Sequence, residues 1–149
     1  MTNKVRVGFG ALVSRAARSW RRAVDRKLQP FGLTEATWLP LLRVARAATP
    51  MRQKELAAAL SLDGSSIVRL LDQLQASGFV ERRGDEDRRA KTIVLTSLGR
   101  QTVERVECVA AEVRAEALAG LDDAEIATAA RVLEQICHVL ENAEGEPDE

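Results

Sequence analysis

The stretch Gln53–Leu95, QKELAAALSLDGSSIVRLLDQLQASGFVERRGDEDRRAKTIVL, decides how this chain folds. Leu56 and Leu60, four residues apart, give a short helix one apolar side, and the small Ala57 stands where a second helix can come close. Ser61, Leu62 and Asp63 make a turn, with Ser61 where such turns often carry glycine. Asp63 can accept hydrogen bonds from the amides of Ser65 and Ser66 as the cap of the next helix. That helix directs Ile67, Leu70, Leu71 and Leu74 inward and ends at Gly78, which tolerates a left-handed helix exit. Phe79 to Arg83 and Lys91 to Leu95 read as strands, the second rich in β-branched residues, joined by the charged loop from Gly84 to Ala90.

Helix, turn, helix and two-stranded ribbon make a winged helix-turn-helix over residues 33–95. The flanking sequence predicts more helix. A first helix over Val5 to Leu28 repeats Phe9, Leu12, Val13, Ala16, Trp20, Val24 and Leu28 on one face. Pro30 and Gly32 stop it. Thr34 is placed to cap a second helix, with Trp38, Leu41, Leu42 and Ala45 on its buried side and Pro40 within it. A third helix is expected from Pro50 to Ala59, capped by Thr49.

Beyond the ribbon, Thr96 or Ser97 caps a long fifth helix with Val103, Val106, Val109 or Ala110, Val113 and Ala117 in a stripe. Gly120 and Leu121 break it. Asp122 and Glu125 have capping-box spacing for a last helix carrying Ile126, Val132, Leu133, Ile136, Val139 and Leu140. The fold class is therefore mainly α with a small β-wing, a single domain over 1–149. The terminal helices, 5–28 and 97–141, carry more apolar surface than a helix-turn-helix core requires, which predicts a dimerisation region.

Charge is balanced overall but not along the chain. Residues 1–100 hold 19 Lys and Arg against 9 Asp and Glu, and residues 101–149 hold 3 against 13. A basic front half suits a polyanion. Cys108 and Cys137 are too few for a disulfide framework and read as buried structural thiols. With a lone histidine, His138, the chain offers no metal-ligand set and no nucleophile pair, so neither a metal, a cofactor nor an enzyme is expected. No run approaches the roughly 20 apolar residues of a membrane helix. The Arg-rich start lacks a cleavage-like region, so a cytoplasmic protein is expected.

Small residues at the start of the fourth helix let it enter a DNA major groove about 12 Å wide. Arg69 can pair with a guanine edge or a phosphate, Gln73 lies further along the same face, and Ser65 and Ser66 suit phosphate oxygens or short base contacts. In the loop, Arg88 and Arg89 can reach a narrow minor groove, with Asp87 anchoring one while the other projects.

Leu33-Thr34, Gln53-Lys54-Glu55-Leu56-Ala57, the junction from Leu74 through Gly78 to Arg82, and Asp87-Arg88-Arg89-Ala90 through Leu95-Thr96 and Gly99 resemble the MarR family of transcriptional regulators. The wing, DRRAKTIVLTSLG, particularly resembles the branch that includes the SlyA regulators. The resemblance implies a homodimer built on the first, fifth and sixth helices. It also implies binding to a near-palindromic operator on double-stranded DNA, and repression released by a small aromatic or phenolic anion. Arg52 departs from the Thr or Ser that often caps the third helix in this family, and the loop from Gly84 to Arg88 is slightly shorter than in many members.

An aromatic carboxylate needs an apolar slot and a cation or hydroxyl, and Arg15, Ser19, Trp20, Trp38 and Arg43 are the candidates on the first two helices. Each of the two tryptophans also fits a core position. The alternative to a DNA-binding regulator is a winged-helix protein-interaction module without sequence-specific DNA binding.

Overall fold

The computed structural model describes residues 2–84 and 91–143. It consists of α1 (Thr2–Leu28), a 3-10 turn (Gln29–Phe31), α2 (Glu35–Arg46), α3 (Gln53–Ala59), α4 (Gly64–Ala76), β1 (Val80–Gly84), β2 (Lys91–Leu95), α5 (Ser97–Leu118) and α6 (Asp123–Ala143). This is the expected mainly α architecture with a two-stranded wing. The strands pair antiparallel in the register Val80↔Leu95 to Gly84↔Lys91. The wing tip, with Asp87, Arg88 and Arg89, lies outside the described residues.

The chain divides into two compact units, Met1–Val113 and Arg114–Glu149. Among the described residues, all the buried apolar ones belong to the first. Leu28, Leu41, Leu56, Ile67, Leu71, Ile93 and Val106 are almost fully enclosed, so α2, α3, α4, β2, the end of α1 and the valine stripe of α5 share one core. Full burial of one such side chain contributes about 1.5–3 kcal/mol. The α2 face is Trp38, Pro40, Leu41 and Leu42, while Ala45 is exposed, and the helix continues through Pro40.

Both exits of the helix-turn-helix are tied off in the same way. After α4, the Phe79 N–H reaches the Leu74 carbonyl and the Gly78 N–H reaches that of Gln75, each at 3.0 Å, with Gly78 at φ +80°. After α3, Leu62 N–H bonds Ala57 O at 2.9 Å and Ser61 N–H bonds Ala58 O at 3.2 Å. Here the left-handed position is Ser61, at φ +53°, a conformation that costs a non-glycine residue roughly 1–2 kcal/mol.

Three expectations need correction. The third helix begins at Gln53, not Pro50, and Thr49 does not cap it. The Ile93 N–H bonds the Met51 carbonyl at 2.8 Å and Arg52 bridges Thr92, so Met51 and Arg52 extend the ribbon as a third edge. Arg52 then stands at the cap position, where the Glu55 carboxylate accepts its N–H at 2.7 Å. A guanidinium has no acceptor to return that bond. Thr34 occupies the cap position of α2, but its hydroxyl lies 3.5 Å from that of Thr37 rather than on a backbone amide. The two thiols, finally, are exposed rather than buried.

The α1 stripe is buried only at Val24 and Leu28, while Val5, Val7 and Leu12 are exposed. Within the second unit, α6 opens on the expected reciprocal box. Asp122 N–H donates to Glu125 at 3.0 Å and Glu125 N–H to Asp122 at 2.8 Å. No α6 residue is buried, and Leu133, Val139 and Leu140 face water.

Candidate nucleic-acid interface

The surface that can meet DNA starts at the α4 cap. Asp63 accepts the Ser66 N–H at 2.7 Å and the Ser65 hydroxyl proton at 2.9 Å. These bonds hold its carboxyl below the usual aspartate pKa, the Ser66 amide being the largest cause. Ser65 thereby presents acceptor lone pairs to an incoming group rather than a donor.

Ile67, Leu71 and Leu74 are buried behind this face, which leaves Ser65, Val68, Arg69, Asp72 and Gln73 exposed and Ser66 half-exposed. The structure brings Ser66, Arg69 and Gln73 onto one wall of a groove of about 550 Å³. Its other walls come from Leu39 and Pro40 of α2 and from Leu60 and Leu62. The α4 surface is thus polar at its tips, shallow at Gly64 and Ser65, and backed by a rigid core.

One ion pair in this region escaped the sequence reading. The Arg82 guanidinium of β1 donates to the Asp72 carboxylate of α4, and the Arg82 side chain is 16% exposed. The pair ties α4 to the strand that leads to the wing and neutralises a carboxylate on the exposed face of α4. Ten residues of separation across a turn give no local signal for it.

A second joint links this head to α5. The Phe79 carbonyl accepts the Thr96 N–H at 3.0 Å, and the Thr96 hydroxyl lies 2.5 Å from Gly78 O and 3.1 Å from Phe79 O while accepting the Gly99 N–H at 3.0 Å. A Cβ on Gly99 would stand 2.1 Å from the Phe79 oxygen. Only glycine fits that approach. Arg46 of α2 adds a two-pronged contact, Nε and Nη2 each 2.9 Å from Glu107 of α5.

The residues proposed for a ligand slot are dispersed. Arg15, Ser19 and Trp20 are exposed on α1. Trp38 is 3% exposed and donates its indole N–H to Asp25 at 3.2 Å. Arg43 lines a cavity of about 360 Å³ with Leu42, Arg46 and Met51. Among the described residues no cluster of three or more His, Cys, Asp or Glu could hold a metal, and no helix is long and apolar enough to cross a membrane.

The family model described as MarR family matches residues 31–90, which hold the helix-turn-helix and the first strand of the wing. Transcriptional regulator PA3341 is 42% identical, with a TM-score of 0.84, over 90% of this chain and 98% of its own. The chain belongs to the MarR family. It is a winged-helix transcriptional regulator of that family, and its likeness to other members extends over most of its length. CouR from Rhodococcus jostii RHA1, solved bound to p-coumaroyl-CoA, is 28% identical with a TM-score of 0.72, over 86% of this chain and 90% of its own. MepR of S. aureus, solved as a DNA complex, shares the fold at 22% identity and a TM-score of 0.76, over 89% of this chain and 97% of its own.

Proposed function

We propose that this MarR-family chain is a homodimeric repressor that binds a near-palindromic operator and leaves it when a small aromatic or phenolic anion binds. The observation that carries the reading is the exposed face of α4, where Ser65, Ser66, Arg69 and Gln73 stand on a buried spine of Ile67, Leu71 and Leu74. In this reading α4 lies in the major groove. Arg69 and Gln73 address base edges, Ser66 addresses phosphates or bases, Ser65, whose proton goes to Asp63, addresses donor groups of the bases rather than phosphates, and Arg88 and Arg89, supported by Asp87, follow the minor groove. Two copies place their reading helices about one helical turn, roughly 34 Å, apart. MepR, which shares the fold, was solved with DNA, and this supports DNA as the partner.

CouR's structure bound to p-coumaroyl-CoA supports an aromatic ligand for this chain. Our proposed contacts are Arg15, Ser19, Trp20, Trp38 and Arg43, which lie apart in the single chain. A regulator of this kind acts on DNA in the cytoplasm.

Fluorescence anisotropy with the DNA upstream of its own gene tests the reading. We expect sequence-selective binding that weakens steeply as salt rises, because each phosphate contact releases a counterion. Absence of salt-dependent, sequence-selective binding would instead favour a protein-interaction module.

A further inference from the structure

Among the described residues, α4 turns one large apolar side chain to solvent. Val68 is 38% exposed, with Ser65 three residues before it and Asp72 four residues after it on the same side of the helix. It belongs neither to the buried spine of Ile67, Leu71 and Leu74 nor to the groove that Ser66, Arg69 and Gln73 line. Valine is a poorer helix former than alanine, and at this exposure burial returns little for it. The fold of the single chain therefore gains little from Val68; what gives the residue meaning is the face on which it stands.

That face is prepared for close approach to DNA. Gly64 and Ser65 keep the start of α4 shallow, and the Ser65 hydroxyl gives its proton to Asp63. The Asp72 carboxylate, which alone would repel a polyanion, is engaged by Arg82. Branching at Cβ holds a helical valine in nearly one rotamer, so the two methyl groups of Val68 are set in place before any partner arrives.

In the major groove the base pairs present hydrogen-bond donors and acceptors, and one apolar group of comparable size, the 5-methyl of thymine. An apolar side chain pressed on a donor or acceptor leaves it unpaired at a cost, whereas against a methyl it removes apolar surface from water. We propose that Val68 is a specificity-determining residue that selects thymine in the operator through its 5-methyl group. The role rests on the DNA-reading assignment of α4 and differs in kind from those of Arg69 and Gln73, which address donors and acceptors.

Selection of randomised duplexes by the full chain supplies a bound sequence, and anisotropy competition then compares that duplex with versions in which each thymine in turn is replaced by deoxyuridine, which deletes only the methyl. We expect one thymine position of a half-site to lose about fourfold in affinity, the worth of one buried methyl. Val68→Ala should weaken the parent duplex by a similar factor and should bind the deoxyuridine version at that position as well as the parent, because the two changes remove the same contact. Val68 is exposed, so the unfolding midpoint of the variant should equal or exceed that of the wild type. Selective binding with no loss at any thymine, or a loss that persists undiminished in Val68→Ala, would overturn the role of Val68 and leave the DNA-reading assignment of α4 standing. Enrichment of no sequence at all would remove that assignment and the role of Val68 with it.

Discussion

Asp63 shows how one side chain can set both a helix and a surface. Its carboxylate caps α4 through the Ser66 amide and takes the Ser65 proton, and those bonds lower its pKa. A depressed folded-state pKa gives stability that is present above the unfolded value and lost as pH falls through the folded one. Asp63→Asn keeps a capping oxygen without the titration. The stability difference between wild type and Asp63→Asn, measured by urea denaturation, should therefore be constant near neutrality and shift against the wild type as pH falls below the usual aspartate pKa. A difference independent of pH down to acid unfolding would refute the capping role of the charged form. Asp63 was readable from sequence because an N-cap is a local pattern. Ser61 was readable as a departure from glycine, but its left-handed backbone was not.

Among the elements, the ones that follow local rules were the legible ones. Gly78 ends α4, Asp122 and Glu125 open α6, and the β-branched Thr92-Ile93-Val94 run forms β2. The start of α3 was misread because Thr49-Pro50 is a sound local start signal, yet Met51 pairs with Ile93, forty-two residues away in sequence, and a tertiary backbone bond overrides a cap preference. The pairs Asp72–Arg82 and Arg46–Glu107 were invisible for the same reason. Gly99 belonged to the family-like pattern without a stated reason, and the structure supplies one in its approach to Phe79 O. Adding a Cβ there forces backbone apart, so Gly99→Ala should cost about 3 kcal/mol, the upper end of overpacking penalties. Chemical denaturation measures it directly, and a change within about 0.5 kcal/mol, the ordinary range for an inconsequential site, would contradict the joint.

At the scale of the whole molecule, the apolar stripes of α1 and α6 were legible as stripes, but a sequence cannot say what covers them. Within one chain, Val5 and Val7 of α1 and Val139 and Leu140 of α6 remain 60–80% exposed. Apolar surface on this scale marks an interaction site, and a second copy of the chain is the proposed cover. Sedimentation equilibrium at micromolar concentration should give twice the 16.3 kDa chain mass. Val139→Asp with Leu140→Asp should shift it toward the monomer, since an unpaired charge buried in an interface opposes association. A wild-type monomer under those conditions would remove the dimer and with it the paired half-sites.

The base-reading role proposed for α4 joins these scales, and Arg69 is its most direct probe. In anisotropy titrations on the upstream operator and on random DNA of equal length, Arg69→Ala should cost about 1–3 kcal/mol on the operator if the guanidinium reads a base edge. Affinity for random DNA should change far less. Equal losses on both would contradict the assignment of α4 as the element that reads sequence.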